Sequence, residues 1–187
     1  MREKVKKMKG IPTDHKYRLY RSRLEARWAY FFDLLGWKYE YEPYDLNGWI
    51  PDFCIYGSDE ILVEVKPNSK LEEYNTQKLI QAMARTEKEG KEILLLGSTI
   101  FENGKAFSGP ALGWLGEFYE DSNDKYWFAY AMINHNKAWG FFHEYGSYAD
   151  RISGESDGDS HLLQPSYLEV LRLWNEAANR VQWKPTA

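Results

Sequence analysis

The sequence predicts an α/β fold of the α+β kind, with a mixed sheet: helix, three mostly antiparallel strands, helix, strand, then a β-hairpin extension and a closing helix. Three observations carry this expectation. A helical stripe is followed by three short strand patterns separated by turn residues. A second amphipathic segment leads directly into the apolar EILLLG (92–97), the mark of a βα crossover onto a buried strand parallel to the third. Residues 102–165 are rich in Gly, Trp and Tyr and hold two further strand patterns.

Each element has a local reason. Residues 1–16 hold Gly10, Pro12 and almost no apolar spacing, and read as a basic flexible arm. Leu24, Trp28, Phe31 and Leu35 fall at i, i+4, i+7 and i+11, a helix within 17–35 that Gly36 stops. WKYEYEP (37–43) alternates Trp37, Tyr39 and Tyr41 against Lys38, Glu40 and Glu42, a half-buried strand closed by Pro43. Asn47-Gly48 is a turn dipeptide. IPDFCIYG (50–57) and EILVEVK (60–66) flank the turn residues Gly57, Ser58 and Asp59, hence a hairpin, and Pro67 limits the latter strand.

Residues 71–89 form an amphipathic helix with Leu71, Leu79, Ile80, Ala82 and Met83 apolar and Gly90 as its cap. YWFAYAMIN and AWGFFHEYG join through His135-Asn136-Lys137 as the hairpin extension. Pro165-Ser166 opens the closing helix, with Leu168, Leu171, Trp174 and Ala178 expected on one face. The chain thus divides into an arm (1–16) and one domain (17–187). That domain comprises a core (17–97), a β-rich extension (98–164) and the closing helix (165–181).

Composition excludes several classes. A single Cys among 187 residues leaves no intrachain disulfide framework and no multi-cysteine zinc site, and fits a reducing, cytoplasmic setting. No stretch approaches ~18 apolar residues, so no membrane span is expected. MREKVKKMKG has no apolar core, so no signal peptide is expected. The net charge of −4 argues mildly against a simple nucleic-acid coat protein, but it is uneven. Residues 1–27 carry ten Lys/Arg against three acids, a surplus of +7, and the remainder carries −11. A polyanion partner is therefore expected along the first helix and its arm, away from the acidic turns at 120–124 and 155–159.

The chemistry concentrates in the hairpin. In EILVEVK, Ile61, Val63 and Val65 share one face, and Leu62, Glu64 and Lys66 the other. Reflection about residue 58 brings Asp52 opposite Glu64. Two clustered carboxylates repel unless a cation joins them. Oxygen ligands of this kind suit Mg²⁺, or Mn²⁺ in its place, with water and phosphate oxygens completing the shell. Such an ion polarises a phosphodiester and acidifies its bound water. A neighbouring lysine can orient that water, take its proton or meet the developing charge.

Pro51-Asp52, eleven residues, then Glu64-x-Lys66 resembles the PD-(D/E)XK nuclease superfamily. The run RSRLEARWAYFFDLLGWKYEYEP, the tryptophan-flanked PDF strand and EVKP look like its small phage- and prophage-type nucleases. The resemblance covers residues 17–97 and implies a restriction-endonuclease-like core. It implies Asp52 and Glu64 as metal ligands, with the Val65 backbone carbonyl helping, and Lys66 as catalytic lysine. It places Glu25 at the first-helix glutamate, facing the site; from the residues alone, an ion pair with Arg21 accounts for Glu25 equally well. It implies a Mg²⁺-dependent hydrolase of DNA, most simply an endonuclease acting on double-stranded, branched or single-stranded substrate. Exonuclease and Holliday-junction resolvase stay open, as does a homodimer. Arg18, Arg21, Arg23 and Arg27 would meet backbone phosphates. A non-catalytic nucleic-acid- or partner-binding module on the same fold is the alternative, although a degenerate member should have lost one of the acidic or lysine positions.

Other candidates are weaker. Gln77 and Gln81 lie one turn apart, and a solvated helix face explains them as well as a phosphate contact does. Asn134-His135-Asn136 reads as a turn. Exposed aromatics could stack on single-stranded bases, but core packing accounts for most of them.

Overall fold

The computed structural model describes residues 10–46, 48–73, 76–86, 90–103, 109–118, 126–144, 149–156 and 163–182. The lysine-rich start of the arm, Asn47, the end of the 71–89 helix and most of the acidic turns lie outside these residues.

The expected order from first helix to buried strand is present. Helix α1 (Arg23–Leu35) is followed by β3 (Tyr39–Tyr41), β4 (Phe53–Tyr56) and β5 (Glu60–Val65), then helix α2 (Thr76–Thr86) and β6 (Glu92–Asn103). Ahead of α1 stands a small hairpin of β1 (Thr13–His15) and β2 (Arg18–Tyr20). After β6 come β7 (Gly109–Phe118), β8 (Tyr126–His135), β9 (Trp139–His143) and helix α3 (Tyr167–Arg180). Strands β3 to β9 form one seven-stranded sheet in sequence order. Only β5 and β6 are parallel, as the α2 crossover requires; every other pair is antiparallel.

The sheet is covered unequally. On one face α1 and α3 pack together, with Trp28 and Trp174 rings 4.3 Å apart and Phe31 edge-on to Trp174. Their core takes in Ile61, Val63, Val65, Leu94 and Leu96 from the sheet. On the other face α2 sets Leu79, Ala82 and Met83 against Cys54, Leu62, Ile93, Leu95 and Trp114. Helix α1 begins at the N-cap Ser22 and ends at Gly36, whose φ of 75° is the left-handed conformation a helix cap favours.

Four expectations are corrected. Residues 13–20 form a hairpin rather than the end of an arm and the start of a helix; its turn uses left-handed Lys16 and Tyr17, which carry no glycine signal. Arg18 therefore sits on a strand. The extension has three strands beyond β6 rather than two, because β7 exists. The 71–89 helix is a short 3₁₀ turn (Leu71–Glu73) followed by α2. The buried stripe of α3 is Val170, Trp174 and Ala177, continued by the capping Val181, while Leu168 is 74% exposed. That i, i+4, i+7, i+11 stripe keeps a truer helical period than the one read through Leu168. Among the described residues no helix is long and apolar enough to cross a membrane.

Candidate active site

The hairpin register decides the site. Phe53 pairs with Val63, so one step further places Asp52 opposite Glu64, as the turn arithmetic requires. Asp52 lies just before β4 and is 3% exposed. Its Oδ2 accepts the Val65 backbone N–H at 2.7 Å, and its Oδ1 accepts Arg21 Nη2 at 2.8 Å. Glu64 is held from two sides: Trp49 Nε1 donates to Oε2 at 3.0 Å, and the Lys66 ammonium lies 2.5 Å from Oε1. The same ammonium is 3.8 Å from Asp52 Oδ2 and donates to the Val65 carbonyl at 3.2 Å. Asp52, Glu64, the Val65 carbonyl and Lys66 thus converge on one point at the end of β5.

Electrostatics follow from this crowding. Burial, and then the Glu64 charge, push the Asp52 carboxyl up to about 7; Lys66 and the Val65 N–H pull the other way. Two carboxylates and a carbonyl, all hard oxygen donors, meet beside Lys66, with Arg21 on Oδ1 of Asp52. That chemistry fits a divalent cation such as Mg²⁺, which needs only one or two carboxylates and keeps water and phosphate as its remaining ligands. Among the described residues no group of three or more His, Cys, Asp or Glu is arranged to hold a metal, so any site here is this sparse kind.

The other residues singled out in the sequence divide. Glu25 is 8% exposed and close enough to raise the Asp52 carboxyl, but its oxygens are spoken for. Oε1 accepts Ser22 Oγ at 2.7 Å, and Oε2 accepts Tyr41 OH at 2.6 Å and the Arg21 N–H at 3.2 Å. Its own N–H donates to Ser22 Oγ, so Ser22-x-x-Glu25 is a variant of the capping box. Glu25 supports the site's wall and does not pair with the Arg21 side chain. That guanidinium bridges Asp52 and Glu42, the latter at 2.7 Å.

Arg18 is exposed and donates to the Tyr41 carbonyl; Arg23 is exposed at the start of α1. Arg27 does not join them. It donates twice to the Trp174 carbonyl and covers the Trp174 ring at 3.7 Å, and burial lowers its pKa to about 10. It fastens α1 to α3 instead of facing a phosphate. Gln77 and Gln81 are both exposed on α2. Asn134 is fully buried in β8, and His135 ends that strand rather than occupying a turn.

Three contributors were not singled out as site residues from sequence. Trp49 orients Glu64, Tyr41 secures Glu25, and Glu42 shares Arg21. The tryptophan just before Pro51-Asp52 was the available signal for the first. No protein-family model, curated protein sequence or solved structure matches the chain.

Proposed function

We propose that the protein is a metal-dependent nuclease that hydrolyses phosphodiester bonds of DNA. One observation carries the proposal: Asp52, Glu64 and the Val65 carbonyl converge around Lys66 at the end of a buried strand. The chain's resemblance to PD-(D/E)XK nucleases over residues 17–97 points to the same four groups.

Asp52, Glu64 and the Val65 carbonyl would hold the cation. When bound, Mg²⁺ polarises the phosphodiester and makes its water acidic near neutral pH. The chain's own residues supply the rest. Arg21 and the Val65 N–H fix both oxygens of Asp52, and Trp49 fixes one oxygen of Glu64, so the carboxylates stay aimed as their charge is engaged. Lys66, beside both carboxylates, would orient the attacking water and meet the negative charge that builds on the phosphate. Water adds to phosphorus, the bond to one ester oxygen breaks, and that oxygen leaves with a proton. Arg18 and Arg23, both exposed, would meet backbone phosphates.

The test is cleavage of circular single- and double-stranded DNA with Mg²⁺ or Mn²⁺, with EDTA, and with Asp52→Ala and Lys66→Ala. Cutting of circles that stops with EDTA and in both folded variants is expected, and identifies an endonuclease. Full activity in both variants would sink the assignment. Binding without cutting in either metal would favour the binding module.

A further inference from the structure

On the α2 side of the sheet lies a cleft of 490 Å³ that the site described above does not use. Its deep residues are Trp114, 6% exposed, and Glu144, 1% exposed. Phe101, Phe128 and Tyr130 are half-buried around them, and Lys70 is exposed at the rim. Phe101 stacks on Trp114 with ring centres 5.2 Å apart and planes at 30°, and Tyr130 meets Phe101 edge-on at 5.3 Å. Glu144 Oε1 accepts Asn103 Nδ2 at 2.6 Å, and its other oxygen has no donor among the described residues.

We propose that this cleft takes an unpaired nucleobase next to the scissile phosphate, so that the substrate is a strand with unpaired nucleotides rather than a continuous duplex. The inference rests on the nuclease reading and deepens it. Four features support it. Flat aromatic walls suit a flat ring, and every base offers a stacking face. The unclaimed Glu144 oxygen, deep among those rings, can accept a ring or amino N–H from a base edge, as carboxylates do from cytosine N4. That edge must be free, which a paired base does not allow.

The cleft and the carboxylate cluster also share one row of the sheet. Glu64 registers with Leu95, Leu95 with Trp114, and Trp114 with Tyr130, a single row across four neighbouring strands. Trp114 therefore lies two strand spacings from Glu64, ~10 Å, which suits a neighbouring nucleotide. Finally, the rim residues Ser69 and Lys70 follow within four positions of Lys66, so one segment borders both places. The Lys70 ammonium is placed to meet the backbone of the same strand.

The test measures binding in EDTA, where nothing is cut. Fluorescence anisotropy follows a short labelled oligodeoxynucleotide, its fully paired duplex, and an abasic strand of equal length. Wild type is expected to bind the single strand about tenfold more tightly than either control, the scale of one stacked base. Tyr130→Ala and Phe128→Ala, checked for folding by circular dichroism, should fall to the abasic level, and Tyr130→Phe should regain wild-type binding. Equal binding of normal and abasic strands by wild type, or unchanged binding in both alanine variants, overturns the proposal. Mg²⁺-dependent cutting judges the nuclease reading separately. A protein that tells normal from abasic strands yet cuts nothing keeps the cleft and loses the nuclease. One that cuts without that discrimination keeps the nuclease and loses the cleft.

Discussion

The two faces of the sheet use the same kind of side chain to different ends. Under α1 and α3, Trp28, Phe31, Phe32 and Trp174 are at most 1% exposed and interlock as a closed core. Under α2, Phe101, Phe128 and Tyr130 remain half-buried around a cleft. Two helices close one side of the sheet, whereas among the described residues α2, with three buried apolar side chains, and Tyr44, Leu46 and Trp49 cover part of the other. Aromatic content alone therefore does not distinguish core from binding surface. Coverage does, and the candidate site lies where coverage ends.

The sharpest way to break this contrast is truncation on each side. Trp28→Ala is expected to remove about 3–5 kcal/mol of unfolding free energy. Tyr130→Ala should remove about 1 kcal/mol, since its ring is already partly in water. Urea unfolding compares them; equal losses would mean that the second face is also closed.

The next effect is on pH. Folded Asp52 has its carboxyl raised to about 7 while the unfolded chain's sits near 3.9, so the folded state holds a proton that the unfolded state has lost. Stability from this group therefore falls as pH rises from about 4 to 7 and is flat above. Buried His143, lowered to about 4, acts oppositely over much of this window. The clean readout is the difference between wild type and Asp52→Asn in EDTA. Relative to wild type, Asp52→Asn should gain about 2–4 kcal/mol between pH 4 and pH 8. A constant difference would show that Asp52 is not strained by its neighbours.

Divalent cation should relieve the same strain. At about a hundred times its Kd, Mn²⁺ at pH 8 is expected to stabilise wild type by ~2.7 kcal/mol and leave Asp52→Asn nearly unmoved. Thermal melting with and without the ion reads this, and an equal shift in both proteins would place the ion elsewhere.

The smallest effect separates the arginines. Arg27→Ala should cost about 1–2 kcal/mol of stability through Trp174, without weakening DNA binding in a folded protein. Arg23→Ala should leave stability within about 0.5 kcal/mol and weaken binding with a shallower salt dependence. The reverse pattern would return Arg27 to the interface.

Much of the site was legible because strand chemistry is local. Pro51-Asp52, a turn at 57–59 and Glu64-x-Lys66 suffice to bring the carboxylates together, since side-chain alternation and hairpin register are nearly geometric. The parallel strand was legible for the same reason, as a βα crossover leaves an apolar signature. Strand β7 was not. Gly109, Pro110, Gly113 and Gly116 look like loop residues, yet a Cβ at Gly113 would lie 1.9 Å from the Leu95 carbonyl oxygen and one at Gly116 2.6 Å from Met83. Those glycines admit neighbouring groups and do not break a strand. Nor could sequence show that Arg27 turns to Trp174, 147 positions away, or that Glu25 is spent on its own helix cap and on Tyr41.

If the Asp52–Glu64–Lys66 cluster cuts phosphodiesters, removing its lysine must slow the cut. The most direct test is the nicking rate of a supercoiled circle at saturating Mg²⁺ by wild type and folded Lys66→Ala, side by side. Loss of the lysine is expected to slow nicking by about 10²–10⁴-fold, the range for a positioned proton-transfer or charge-stabilising group. A Lys66→Ala rate equal to wild type would contradict it.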